Sequence, residues 1–100
     1  MNTSTECIDA SKKVLLIELL DEFKTKIKPR HIATQTYNIL FKGFRLGEKK
    51  DVKVFDLIKN PREEYKKWKG VGNVKLQLLE DYIQTKGFYF KGQNDYGEAK

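Results

Sequence analysis

Apolar residues in the first third of the chain recur at the spacing of an α-helix. From Ala10 to Ile27 they lie three and four positions apart, and Asp9 or Ser11 is suited to cap the helix start. The apolar positions are Val14, Leu15, Leu16, Ile17, Leu19, Leu20, Phe23 and Ile27. Because this stripe is wide, the segment is predicted to be either the central core helix or a helix that pairs with a partner protein.

A second helix is predicted after Pro29, because proline is tolerated in a first helical turn and disfavoured further inside. The helix begins at Pro29 or Thr34 and reaches Phe41, with apolar residues again three and four positions apart. Gly43 and Gly47 are predicted to end it.

Two shorter helices are predicted next. The segment Val52–Ile58 alternates like a strand in its first half, but a lone strand would have no partner, so a short helix is preferred. The following helix is predicted to start at Asn60 as cap, with Pro61 in the first helical position and Glu63 reaching back to the cap. This helix is expected to carry Tyr65 and Trp68 and to end near Trp68.

The last helix is predicted from Asn73 to Lys86, with Gly87 as its stop signal. Its predicted buried residues are Val74, Leu76 or Leu78, Leu79, Tyr82 and Ile83. The segment Phe88–Phe90 is expected to fold back over the core as an extended lid.

A glycine turn, Gly70-Val71-Gly72, joins the last two helices. Glycine adopts positive φ without steric cost, and the helix that follows presents free N–H groups that suit an anion. Two interpretations are open, a helix-hairpin-helix contact to nucleic-acid backbone and a structural turn between packed helices. Lysines surround the turn at positions 66, 67, 69 and 75, which makes this cluster the best functional candidate. Trp68 is expected in the core rather than on a nucleobase.

Length and composition indicate one small domain. We expect a flexible leader over residues 1–9, a single domain over residues 10–90 and a flexible tail over residues 91–100. The formal net charge of +6 permits a polyanionic partner but does not require one.

Enzymatic and metal chemistry are not predicted. His31 is the only histidine and Cys7 the only cysteine, so a metal site is not expected. The adjacent acidic pairs Asp21-Glu22, Glu63-Glu64 and Glu80-Asp81 diverge by about a hundred degrees on a helix and are expected on solvated faces. No phosphate loop or nucleophile motif occurs, so neither catalytic residues nor a cofactor is expected.

The sequence favours a cytoplasmic protein that does not cross a membrane. A lone cysteine excludes an intrachain disulfide, and the N-terminus lacks the charge and apolar pattern of a signal peptide. The longest strictly apolar run, Val14–Ile17, is too short to span a bilayer.

Residues 32–90 resemble the C-terminal domain of the bacterial RNA polymerase α subunit in the order and spacing of four segments. The matching segments are 32–40, 54–58, 63–76 and 87–90. They are similar, in that order, to the family's first helix with its Asn-x-Leu pair, its short Asp-Leu helix, its acidic helix with a Leu-Gly-Lys-Lys-Ser-Leu hairpin, and its Gly-Leu ending. The resemblance implies an all-α fold, a compact bundle of four to five short helices with a helix-hairpin-helix element.

In that family the domain binds the DNA minor groove and transcription activators, and the carry-over to this chain is partial. Asn38 and Gly72 stand where the family has a DNA-contacting Asn and Gly. Gln35 stands where the family has its principal minor-groove arginine. Val74 and Lys75 replace the Lys-Ser that contacts phosphate. The resemblance therefore carries the fold over better than the promoter-element function.

Two hypotheses follow for a chain that we expect to be monomeric. The first is a non-enzymatic, transcription-associated domain that contacts DNA backbone in a sequence-tolerant way. Its candidate contact residues are Gln35, Asn38, Lys66, Lys69, Gly70, Val71, Gly72, Asn73 and Lys75. The second is a protein–protein interaction module of the same fold that has lost DNA binding and docks to a transcription protein.

Overall fold

The computed structural model describes residues 6–93 of the chain. Six helices follow one another, and no strand occurs in this part of the chain. Their bounds are α1 Glu6–Ser11, α2 Leu16–Lys26, α3 Arg30–Gly43, α4 Val54–Ile58, α5 Arg62–Lys66 and α6 Gly72–Thr85. The predicted small all-α bundle is confirmed, with one helix more than the upper end of the predicted range. None of the helices within residues 6–93 has the length and apolar character needed to cross a membrane.

The core forms around α2, which packs against α3 and α4. The apolar face of α2 is buried at every turn, through Leu16, Leu19, Leu20 and Phe23. Leu40 of α3 and Ile83 of α6 belong to the same buried cluster. A helix this deeply buried is a core element. Of the two interpretations of the wide apolar stripe, that of a central core helix therefore holds within the described chain.

One long helix from Ala10 to Ile27 was predicted, and this prediction was wrong. The chain leaves α1 at Ser11 and re-enters a helix only at Leu16. Between them the backbone pairs with the segment before α4, since Leu16 N–H donates to Val52 O at 2.8 Å and Val54 N–H donates to Val14 O at 2.9 Å. These long-range hydrogen bonds replace helical ones, and the same contact explains the strand-like first half of the segment before α4.

The beginning of the described chain is packed, whereas a flexible leader was expected there. Cys7 lies in α1 with 5% of its surface exposed, and the backbone N–H of Tyr89 donates to Cys7 Sγ at 3.3 Å. The expectation for residues 1–9 therefore fails from Glu6 onward, because α1 closes one end of the core. Residues 1–5 lie outside the described chain.

The segment after α6 covers the core as predicted. Phe88 and Phe90 are buried, and Lys91 N–H donates to Ile58 O at 2.9 Å. The predicted tail thus begins with residues that are hydrogen-bonded to the bundle, since Gln93 Oε1 also accepts from Phe90 N–H at 2.9 Å. Residues 94–100 of that tail lie outside the described chain.

The cap predicted at Asn60 is not formed. Pro61 is the N-cap of α5, and the Asn60 side-chain amide instead donates to the Tyr65 hydroxyl at 3.4 Å. The Asn60 side chain is thus hydrogen-bonded to Tyr65 and not to the backbone at the start of α5. The side-chain cap that the structure does contain lies at α4, where Lys53 N–H donates to Asp56 Oδ2 at 2.9 Å.

Two acidic residues predicted on solvated faces are held by neighbouring side chains. Glu22 of α2 lies 2.6 Å from Lys86 Nζ and accepts a hydrogen bond from the Tyr82 hydroxyl, contacts that lower the pKa of Glu22 to about 2. Its contribution to stability is therefore present above the ordinary carboxyl pKa and is lost only as the pH falls towards 2. Glu80 of α6 is only 7% exposed and is paired with Arg62 of α5.

Helices α3 and α6 end in the same hydrogen-bond motif. Leu46 N–H donates to Phe41 O after α3, and Phe88 N–H donates to Ile83 O after α6, both at 2.9 Å. The left-handed residue of the motif is Gly87 after α6. After α3 it is an arginine, residue 45, with φ 57°. Helix α3 ends at Gly43, as predicted, but neither Gly43 nor Gly47 has a positive φ, so the left-handed residue of the motif is Arg45 and not a glycine.

We expect Arg45→Gly to stabilise the protein by about 1 kcal/mol, because glycine adopts the left-handed conformation without the steric cost of a Cβ. Arg45→Ala is the matched control. It removes the same exposed ion pair with Glu48 but keeps the steric cost, so it should not stabilise. Urea denaturation of both variants measures the difference, and equal free energies of unfolding would contradict the prediction.

Candidate nucleic-acid interface

The glycine turn joins α5 to α6 with the backbone conformations that only glycine adopts readily. Gly70 has φ +87° and Gly72 has φ +64°. Between them Val71 is buried, and its N–H donates to Trp68 O at 3.2 Å. Neither the side chain nor the N–H group of Val71 is therefore free to contact a ligand, although Val71 was among the predicted contact residues.

The segment from Trp68 to Gly70 packs against two residues of α3. A Cβ on Gly70 would lie 3.3 Å from Ile39 Cδ1, which shows how closely the turn approaches α3. A Cβ on Gly43 would lie 2.2 Å from Cζ3 of Trp68, so the tryptophan ring fits only because this helical position is glycine. Ile39 and Gly43 are four residues apart in α3, so the segment from Trp68 to Gly70 packs along a single face of that helix.

Trp68 is held from its other sides by aromatic rings. Its centroid lies 5.1 Å from that of Tyr65 and 5.5 Å from that of Phe44. Tyr65 is itself buried, which raises its pKa to about 12, and its hydroxyl donates to Leu57 O. Trp68 is half-buried and packs against the core, as predicted. It was also predicted to lie within the helix, but it follows Lys66, the last residue of α5, by two positions. No aromatic residue of the described chain is fully exposed.

We predict that Gly43→Ala destabilises the protein by about 1–2 kcal/mol, because the added methyl group displaces the Trp68 ring and outweighs the helix preference of alanine. Trp68 is the only tryptophan in the sequence, so its fluorescence reports on this contact directly. Gly47→Ala is the control, since a Cβ there would lie 3.4 Å from Phe41 Cε1, close to an ordinary contact. An unchanged emission spectrum and stability for Gly43→Ala would contradict the assigned contact.

Two residues of α3 were predicted to contact DNA. Gln35 and Asn38 are both exposed, and Gln35 precedes Ile39 by one helical turn. Sequence reasoning missed Lys42, which is exposed and follows Asn38 by four positions on the same face. Helical spacing from Asn38 was the signal that could have identified it.

The lysines of the candidate site are not neutralised within the described chain. Lys66 and Lys69 are exposed, Lys75 is half-buried, and none of the three forms an ion pair with a carboxylate of residues 7–93. Lys67 lies 3.8 Å from Glu64, but both side chains are more than half exposed, so this pair contributes little.

The first turn of α6 faces open solvent. It contains no acidic residue and has no side-chain cap, so the backbone N–H groups that begin the helix keep their partial positive charge. A Cβ on Gly72 would have no described atom within 4 Å, and Asn73 next to it is exposed. This end of α6 is therefore sterically open to an anion.

The predicted burial of Val74 was wrong. The valine is 65% exposed, whereas Leu76, Leu79 and Ile83 take the core positions of α6. Val74 lies two residues before Leu76, about 200° around the helix, so both cannot face the same core.

Metal ligation has no candidate in residues 6–93, because no three histidine, cysteine, aspartate or glutamate side chains are placed to share an ion. His31 is exposed at the start of α3.

Comparisons with protein-family models, curated proteins and solved structures find no match to this chain.

Proposed function

We propose that this protein is a non-enzymatic domain that binds DNA backbone through the glycine turn and the start of α6. The observation that supports this most is the seating of the turn on Ile39 and Gly43 of α3. Because Gly70 packs against Ile39, Lys69 and the open N–H groups at the start of α6 lie next to α3.

Each group has a distinct part in the proposed contact. The backbone N–H groups of Gly72 and Asn73 and the ammonium groups of Lys69 and Lys75 bind phosphates. Asn38 and Gln35 are neutral hydrogen-bonding groups that reach a groove edge without a charged probe. The contact is therefore dominated by phosphates and tolerant of sequence.

The relationship to the C-terminal domain of the RNA polymerase α subunit is part of this proposal. The all-helical order with a glycine turn between the last two helices supports it. Gln35, Val74 and Lys75 depart from the family at three of its DNA-contacting positions, although Lys75 keeps a cation there.

A protein-interaction module of the same fold is the second candidate function. The exposed Val74 favours it, because an apolar side chain at the start of α6 does not assist a phosphate contact. Gln35 favours it too, because the arginine of the resembling family is absent.

The double change Lys69→Ala with Lys75→Ala tests the first candidate. Each phosphate neutralised contributes about 0.9 to the slope of log affinity against log salt, so the slope for duplex DNA should flatten by roughly two units on every sequence alike. Lys49→Ala with Lys50→Ala is the matched control, since it removes the same charge from the exposed loop between α3 and α4. Fluorescence anisotropy over a salt series measures both.

Two results would contradict DNA binding at the turn. If the unmodified protein fails to bind duplex DNA at low salt, or if both double variants lower the slope equally, the turn is not a DNA site. The protein-interaction module then becomes the better account.

Gln35→Arg tests whether the α3 face lies against a DNA groove. A cation at this position should sharpen the preference for A·T-rich duplexes, whose narrow minor groove attracts arginine. Binding to A·T-rich and G·C-rich duplexes of equal length is compared at one salt concentration. An equal gain on both would mean that position 35 contacts only phosphate.

A further inference from the structure

A groove runs between α5 and α6 on the side of the molecule where Val74 is exposed. Its volume is about 530 Å³. The lining residues are Arg62 and Lys66 of α5 and Asn73, Val74, Gln77 and Leu78 of α6. No acidic side chain lines this α5–α6 groove, although the helices that form it carry several acidic residues elsewhere.

An apolar strip lines the groove, and its first residue is left largely uncovered by the fold. Val74 is 65% exposed and is the only large hydrophobic residue of residues 7–93 that is exposed. Leu78 follows one turn later and is half-buried, so the two side chains form a continuous strip. Helix propensity does not explain a valine here, because β-branched residues are less favourable than lysine or glutamine on an exposed helix face.

The wall of the groove is cationic and anchored. Arg62 Nε lies 2.8 Å from Glu80 Oε1, in an ion pair whose N–H direction is not aligned for a hydrogen bond. Glu80 also accepts from Gln93 Nε2, so Arg62 is fixed by a buried carboxylate that is itself held. The outer guanidinium N–H groups form no hydrogen bond and no further ion pair within residues 7–93, and Lys66 one turn later is exposed.

We propose that the α5–α6 groove binds a short acidic segment of a partner protein that carries apolar side chains. The apolar side chains cover Val74 and Leu78, and the carboxylates face Lys66 and the outer edge of Arg62. This proposal does not depend on DNA binding. The two ligands nevertheless compete for Lys66, which borders both the groove and the glycine turn.

The chemistry of the groove distinguishes this occupant from the alternatives. Nucleic-acid phosphates would use the lysine but would leave the apolar strip uncovered. A second copy of the chain, docked symmetrically through the same face, would bring two cationic groove linings, each with Lys66 and Arg62, close together. The described chain exposes no other large apolar side chain that could cover Val74 from a different face.

The test uses a fluorescein-labelled ten-residue peptide of glutamates and aspartates with two leucines four positions apart. Binding to the full chain is followed by fluorescence anisotropy. Val74→Gln should weaken binding about tenfold, because it removes apolar contact without adding charge. Lys66→Glu should weaken binding and reduce its salt dependence, whereas Lys67→Glu, the same charge change at an exposed neighbouring position, should have a smaller effect. Circular dichroism confirms that each variant is folded.

Two control peptides and one control variant complete the experiment. A peptide with glutamines and asparagines in place of the acids, and one with serines in place of the leucines, should both bind weakly. Lys69→Ala with Lys75→Ala should change DNA binding much more than peptide binding, and Val74→Gln should do the reverse, so each proposal can fail alone. Equal binding of all three peptides, or no effect of Val74→Gln, overturns the groove proposal. Self-association that Val74→Gln abolishes overturns it in favour of a second copy.

Discussion

The contact between Trp68 and the backbone of α3 at Gly43 is the constraint on which the candidate surface depends. The ring lies where a Cβ would be, so α3 and the segment before α6 approach more closely than two ordinary helical positions allow. Phe44 and Tyr65 hold the ring from other sides, and Tyr65 extends the cluster to Phe90. One aromatic cluster thus joins the end of α3, helix α5 and the segment that follows α6.

The residues around the glycine turn divide into those that pack inward against this cluster and those that face outward. Val71 and Trp68 face inward and give the turn its position, while Gly72, Asn73 and the lysines remain outside. The aromatic side chains are committed to packing, so the outer surface offers hydrogen-bond donors and charge instead of stacking faces. Such a surface suits a contact to phosphates more than a contact to unpaired bases.

The start of α6 serves two neighbouring surfaces. Its N–H groups and Lys75 belong to the turn, while Val74 and Leu78 belong to the α5–α6 groove. Lys66 borders both, so a polyanion at the turn and an acidic segment in the groove cannot use it together. The buried Glu80 pairs with Arg62, which lines the wall of the groove.

Local pattern by itself determined much of this protein. Helical spacing and glycine and proline signals predicted α3, α4 and α6, the stop at Gly87 and the buried lid after it, because these features depend on neighbours a few residues away. Only the tertiary structure decided the break before α2, since that break depends on pairing with residues about 38 positions later in the chain. The exposure of Val74 and the burial of Glu80 likewise depend on where α5 lies against α6. Periodicity can say that a helix has two faces, but the packing of its neighbours decides which residues at the border between them are covered.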